Sequence, residues 1–304
     1  MQMREEMIGT AANAYKHQNQ GGIAMGKTIA ITGASSGIGL ATAMKLAENE
    51  WTVYAGTRNV ERDQAQYTGV ANLHFVEMEV TDPASLQRAF DRIHEEQGKL
   101  DVLFCNAGYG YLRALGQAEF TEIQAVFDTN VYGVMHTIRA GLPLLQKAES
   151  GHLIATSSVG GLVGQPLNEI YCASKFAVEG LLESLATYYK PAFNIDVTLL
   201  EPGAIATHFV DTVMGHVGRT GGILEDEYKP IITKYIEGFQ SRNTVPQTAE
   251  SVAEVVWELL HMDVKPLRIR TSEAAEAFVR YKTEKDATGL EGMQNTRKLQ
   301  LNLE

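Results

Sequence analysis

From residue 27 onward, short apolar, β-branched runs alternate with longer amphipathic stretches, the pattern of repeated βαβ units feeding a parallel sheet. The spacing predicts seven strands, at 28–32, 52–57, 73–79, 101–106, 152–157, 196–201 and 267–271. Between them it predicts helices, among them 38–50, 84–97, 121–146 and 171–189; Thr81, Asp82 and Pro83 are start signals for the second. Right-handed crossovers place such helices on both faces, so the expected class is α/β, a doubly wound parallel sheet of about seven strands. The alternation lapses over 208–247, where a glycine-rich stretch precedes a charged run. A lid is expected there rather than a sheet layer. Residues 1–26 are polar and lack an apolar signal-peptide core, so a mobile leader is expected, and 272–304 reads as a C-terminal helix and tail.

The first strand leads into Thr32-Gly33-Ala34-Ser35-Ser36-Gly37-Ile38-Gly39 and then a helix. Glycines allow a tight turn and close backbone approach, and a helix N-terminus offers free N–H groups and a positive dipole, so this segment suits a diphosphate. No Gly-Lys-Ser/Thr follows, which removes the Walker alternative. The tip of the second strand reads Ala55-Gly56-Thr57-Arg58, with no carboxylate to meet ribose hydroxyls. Arg58 offers a fork for a 2′-phosphate, with Arg62 one helical turn on. NADP(H) is therefore expected ahead of NAD(H).

Composition narrows the partners. With 44% hydrophobic and 21% charged residues, the 304-residue chain can bury a full core. Its formal charge of -11 argues against nucleic acid. Residues 27–207 hold 12 basic against 20 acidic side chains, so an anionic dinucleotide must be attracted by local groups, not by net charge. The two cysteines, Cys105 and Cys172, make neither a disulfide framework nor a zinc motif, and a reducing, cytoplasmic setting without a metal is expected. No apolar run approaches the ~18 residues of a membrane span.

Tyr171 and Lys175 stand four apart at a predicted helix start and share a face, where a cation is expected to pull the tyrosine pKa down from ~10. The same spacing recurs at Tyr281 and Lys285. Only the first pair has a hydroxyl partner thirteen residues upstream, Ser158, just past a predicted strand; the second has Arg268.

At this point the chain resembles the short-chain dehydrogenase/reductase family in its single-domain form with a TGxxxGxG cofactor loop. The likeness runs from residue 28 to about 207 and more weakly to 271. Thr32 to Gly39 matches the cofactor loop, Asn106-Ala107-Gly108 the family's Asn-Ala-Gly strand end, and Asn130 its helix asparagine. Ser158, Tyr171 and Lys175 match the catalytic serine, tyrosine and lysine. Pro202-Gly203, with Ile205 and Thr207, matches the nicotinamide loop. The resemblance implies a Rossmann fold, one cofactor-binding and catalytic domain over 27–271, and hydride transfer between nicotinamide and a carbinol carbon. It implies Tyr171 as general acid or base and Ser158 as the group polarising the substrate oxygen. Lys175 would lower the tyrosine pKa and bind the nicotinamide ribose, and Asn130 would carry a relay water. Two positions depart from the pattern: Cys105 replaces a common asparagine, and Glu79, beside Val80 on the adenine side, replaces a common aspartate.

Ligands in such sheets bind beyond the carboxyl ends of the strands. Tyr109, Tyr111, Leu112, Val159, Leu162, Gln165, Pro166 and Leu167 are candidate pocket residues, with the lid, and most are apolar. A hydrophobic ketone, aldehyde or alcohol is the expected substrate class. Two other readings stand beside it: reduction of a carrier-bound 3-oxoacyl thioester, for which Arg113 and Arg219 are candidate contacts to an acidic carrier, and a dinucleotide sensor without turnover. The family's habit implies a homodimer or homotetramer through 121–146 and 171–189.

Overall fold

The structure, a computed structural model, describes residues 26–240, 245–286 and 298. Nearly all of the expected leader and much of the expected tail lie outside the described residues.

Seven strands form one parallel sheet: β1 Thr28–Ile31, β2 Thr52–Thr57, β3 Leu73–Glu77, β4 Val102–Cys105, β5 Gly151–Thr156, β6 Ile195–Glu201 and β9 Arg268–Arg270, in the order β3-β2-β1-β4-β5-β6-β9. Every residue of β1 and β4 is buried, as expected of strands covered on both faces. Alternation along the strands splits the core into two layers. Leu103, Leu153 and Leu199 point to one face, against α3 (Pro83–Gln97), α5 (Gly133–Leu145) and α6 (Glu169–Phe193). Phe104, Ile154 and Leu200 point to the other, against α1 (Gly37–Glu48) and α9 (Ala249–His261). The parallel register aligns Ile31 with Phe104, Cys105 with Ala155, and Ala155 with Leu199. That brings the residues just past β1, β4, β5 and β6 to one edge. The strand order reverses between β1 and β4, the switch point where a ligand crevice opens.

Several expected elements differ in detail. The single helix expected over 121–146 is α4 (Phe120–Phe127), a π turn at Asp128–Tyr132, and α5. The bulge adds a residue to one helical turn and turns Asn130 into the protein, where it is fully buried. Helix α6 outruns its expected end and stops at a left-handed Asn194 (φ 53°). The segment 208–247, expected as a lid, is largely helical among its described residues. It contains α7 (His208–Arg219) and α8 (Lys229–Gln240), with a small strand pair, β7 (Ile205–Ala206) and β8 (Gln247–Thr248), at its base. Helix α2 (Val60–Gln66) follows β2. Helix α10 (Glu273–Arg280) buries Ala275 and Val279 after the last strand. No described helix is long and apolar enough to cross a membrane.

His152 on β5 is buried with Nε2 2.9 Å from Thr198 Oγ1. Burial, reinforced by Lys265, Lys190 and Lys27, pulls it down to about 3. Its proton is therefore bound less readily in the fold than in the unfolded chain, whose histidine titrates near ~6.5. Stability from this site is complete above that value and is lost as pH falls toward 3. Urea unfolding should show a declining midpoint across that window and a flatter decline in His152→Gln; equal slopes would refute the attribution.

Candidate active site

The glycine loop is built by close approach. Gly33 has φ 65°, and a Cβ there would stand 2.8 Å from Ala107 Cα. A Cβ on Gly39 would stand 2.5 Å from the Gly33 carbonyl oxygen and 2.6 Å from Asn106 Nδ2. Thr32, whose hydroxyl oxygen has no assigned role in the sequence reading, accepts from Asn106 N (3.0 Å) and Ala107 N (3.1 Å). Asn106 Nδ2 donates to Thr32 O and Gly33 O, each at 3.2 Å, and its Oδ1 accepts from Thr156 Oγ1 at 3.0 Å. These bonds lace together the ends of β1, β4 and β5. At the start of α1, Ser36 makes no side-chain cap and the first turn has no acidic residue, which leaves the N–H groups around Gly37 and Ile38 and the positive dipole for an anion. Ser35 lies beside them in the loop. The cradle fits a diphosphate.

At the tip of β2 the structure adds a residue that the sequence reading missed. Asp63, 1% exposed, accepts from Thr57 Oγ1 and from Arg62 Nε (2.7 Å), while Asn59 N donates to Thr57 Oγ1 at 3.1 Å. Burial favours the protonated acid here, but the bonds from Arg62 and Thr57 outweigh it and hold the carboxyl below the usual carboxylate range. Arg62 braces Asp63 through its Nε. Arg58 is exposed, and among the described residues no hydrogen bond or ion pair engages it. Glu79 turns its carboxylate onto Thr81, at 3.1 Å from N and 2.9 Å from Oγ1, and Val80 packs against Gly133.

Tyr171 lies in the first turn of α6 and Ser158 just past β5; both border Gly160, where a Cβ would lie 3.4 Å from Ser158 Oγ and 3.4 Å from Tyr171 Cε1. Ser158 also accepts from Gly160 N at 3.0 Å. Lys175 donates to the Thr156 carbonyl at 2.9 Å, and its Nζ stands 5.8 Å from the Tyr171 ring centre. Burial pushes Tyr171 up to about 12, with Ser158 pulling the other way. This corrects the expectation that Lys175 sets that pKa low: the ammonium faces a carbonyl, and desolvation of the phenol dominates. Burial likewise draws Lys175 down to about 8 against the charge of Glu179. Gly108 passes close by, where a Cβ would lie 3.4 Å from Lys175 Nζ and 3.1 Å from Asn130 Oδ1. Asn130 clamps the chain next to it, accepting from Tyr109 N (3.0 Å) and donating to Tyr109 O (2.9 Å) and Ser174 Oγ (3.1 Å).

The sequence profile described as short chain dehydrogenase matches residues 27–216. The chain belongs to the short-chain dehydrogenase/reductase family. It is an oxidoreductase of CH–OH and C=O groups that uses a nicotinamide dinucleotide. Among its relatives, 17-beta-hydroxysteroid dehydrogenase type 1 of Mus musculus is 35% identical over 269 residues, 84% of this chain and 76% of that protein. A 3-ketodihydrosphingosine reductase of Bacteroides thetaiotaomicron is 40% identical over 183 residues, 60% of this chain and 65% of that protein. A short-chain dehydrogenase of Streptomyces avermitilis superposes with TM-score 0.73 at 26% identity, covering 90% and 98% of the two chains. One from Burkholderia phymatum, in complex with NAD, has TM-score 0.70 at 28% identity, covering 85% and 93%.

In this dehydrogenase the segment after β6 arches back to the glycine loop. Pro202 O accepts from Val159 N at 3.0 Å, Gly203 lies against Ala275, and a Cβ on Gly37 would be 3.5 Å from Thr207 Cγ2; Ile205 opens the small strand between them. A cleft of about 840 Å³ runs outward from Gly37 and Thr207 between α1 and α9 and includes none of Ser158, Tyr171 or Lys175. Tyr109 and Gln165 are half-buried near the tyrosine, Gln165 Nε2 lying close to Gly160. Tyr111 and Leu167, also expected at the pocket, are 2% and 4% exposed. The Tyr111 hydroxyl donates to Glu122 (2.7 Å), whose other oxygen is 3.3 Å from His216 Nε2 on α7. Arg113, expected as a surface charge for an acidic carrier, is 5% exposed and donates to Gly222 O (2.8 Å) and Thr220 O (2.7 Å), fastening the lid. Its partners lie more than a hundred residues away, which no local pattern reveals. Among the described residues, no group of three or more His, Cys, Asp or Glu is placed to hold a metal ion.

If Asn130 is the clamp described, Asn130→Ala strands the Tyr109 N–H and C=O in the interior. A loss of about 2–4 kcal/mol is expected in urea unfolding, since each buried unpaired group costs ~1–3 kcal/mol. Unchanged stability would show that the clamp is dispensable.

Proposed function

We propose that this protein is an NADP-dependent reductase or dehydrogenase of a hydrophobic carbonyl compound or its alcohol, with Tyr171 as the general acid or base. The observation that carries the reading is the placement of Ser158 and Tyr171 together around Gly160, next to Lys175 and near a loop that fits a diphosphate. When bound, the nicotinamide supplies or accepts the hydride. Ser158 holds the substrate oxygen and polarises it. Tyr171, protonated at neutral pH because burial keeps its pKa high, gives its proton to the oxygen as a carbonyl is reduced. Lys175 keeps a positive charge beside the phenol and binds the ribose. Asn130 holds the turn at Tyr109 and, through its part of the chain, a relay water. Arg58 meets the 2′-phosphate from an exposed position next to the Asp63-braced turn, while Gly33, Ser35, Ser36, Gly37, Ile38 and Gly39 face the diphosphate. Asn106, Ala107, Gly108, Pro202, Gly203, Ile205 and Thr207 border the nicotinamide, with Glu79 and Val80 on the adenine side.

The substrate class rests on relatives whose names specify a hydroxysteroid and a ketodihydrosphingosine, with the half-buried Tyr109 and Gln165 near Tyr171 as candidate contacts. Arg113 is spent on the lid, which removes the main candidate contact for an acidic carrier and weighs against the 3-oxoacyl thioester reading. We further infer a homo-oligomer paired through α4, α5 and α6, which carry the exposed Phe120 and Tyr188.

Tyr171→Phe should lower turnover roughly 10²-fold or more on a carbonyl and alcohol panel followed by NADPH absorbance, while dinucleotide binding persists. Near-native turnover in that variant would falsify the assignment. Arg58→Asp should weaken NADPH binding by about tenfold or more and leave NADH binding nearly unchanged, because it replaces a phosphate partner with a like charge. Tighter NADH than NADPH binding by the native protein would instead remove Arg58 from this role.

A further inference from the structure

Behind the tyrosine and lysine lies a group of charges that no step above uses. From β9, Arg268 reaches α6: its Nε is 2.9 Å from Glu179 Oε2, and its Nη2 bonds Glu183. The same Nε stands 3.4 Å from Glu201 Oε1 at the end of β6. Arg270, the register partner of Glu201, pairs with Glu201 Oε2 at 3.1 Å and with Glu276 of α10 at 2.9 Å. Glu201 is fully buried and Glu179 is 4% exposed, and among the described residues Oε1 of each lacks a hydrogen-bond partner. Four carboxylates thus share two guanidinium groups. A buried carboxylate is costly unless paired, so the excess negative charge calls for another cation. On Glu179's own helix that cation is Lys175, one turn earlier on the same face and equally buried.

We propose that Glu179 is a positioning residue: clamped by Arg268, its carboxylate keeps Lys175 in the ammonium state and ties the charge at the active site to the C-terminal strand. This rests on the reading in which Lys175 works with Tyr171. Burial alone draws Lys175 toward the neutral amine, and the charge of Glu179 opposes that pull. Burial and the neighbouring Glu179 push the Glu201 carboxyl up. The other groups around the pair are accounted for. Tyr171 and Glu183 share α6 with it, and Ser157 and Ser158 face it from the turn after β5. Asn130 borders Lys175 beyond Gly108. Arg268, Arg270 and Glu276 complete the network. Lys282 and Asp286 line, with Glu179 and Arg268, a cavity of about 490 Å³ on its outer side. Gly161 allows the turn to close over the acid, since a Cβ there would be 3.0 Å from Glu179 Cγ and 2.5 Å from Ser157 Oγ.

The titration of Lys175 tests this directly. In the full chain with carbon-13-labelled lysine, its signal is assigned by its loss in Lys175→Arg and followed from neutral to alkaline pH. In Glu179→Gln its midpoint is expected to fall by about one unit, and the alkaline limb of turnover to fall with it. Glu183→Gln removes an acid on the same guanidinium that is far more exposed, and should move neither. Glu179→Asp keeps the charge at a longer reach and should give a smaller shift of the same sign, which serves if the glutamine variant does not fold. Equal Lys175 midpoints in the native protein and in both Glu179 variants overturn the proposal. The expected shift in a protein that turns over no substrate with either dinucleotide supports the electrostatic tie and overturns the functional reading instead.

Discussion

The rest of the site depends on how closely the first strand-to-helix turn packs against the end of β4. With 2.8 Å between a would-be Cβ on Gly33 and the Ala107 backbone, no other side chain fits without moving one strand end from the other. The Thr32 hydroxyl and the Asn106 amide then fix that contact from both sides. Because β4 pairs with β5, the same lacing sets the height of Ser158 through Thr156, and Thr156 in turn offers its carbonyl to Lys175. A backbone constraint at the diphosphate loop is thereby transmitted, by paired strands and three polar side chains, to the groups expected to handle the proton.

What the sequence made legible was local. A parallel sheet could be read because buried strands and amphipathic helices differ in period, and the seven strands fall where that alternation puts them, with ends that differ by no more than two residues. The glycine loop and the Tyr171/Lys175 pair could be read because their spacing along one turn or one helix fixes their relative placement. The second Tyr-Lys pair, Tyr281 and Lys285, falls in a π turn after α10.

What stayed hidden was set by contacts distant in sequence or by irregular backbone. Asn130 owes its inward position to a π turn, and an amphipathic reading of 121–146 as one straight helix has no place for it. Arg113 reads as a candidate contact for an acidic carrier because its carbonyl partners, in Thr220 and Gly222, are distant in sequence. The contacts of Tyr111 with Glu122 and His216 come from two other helices, which its local pattern does not reveal. Asp63 sits in a short polar helix, where nothing in the pattern marks one acid among several as buried. The Tyr171 pKa was misjudged for a related reason: helical spacing suggests a nearby cation but says nothing of how thoroughly the phenol is desolvated or where the ammonium points.

The two-layered core has a further meaning. The sheet acts as a partition: α1, which opens from the glycine loop, and α9 pack on one side, while α6, which carries Tyr171 and Lys175, packs on the other. Under the proposed reading, the diphosphate loop and the acid–base tyrosine would be held from opposite faces and meet at the strand ends. Drift on one face can retune its part while the other stays put, which gives a single small domain the evolutionary freedom usually associated with two.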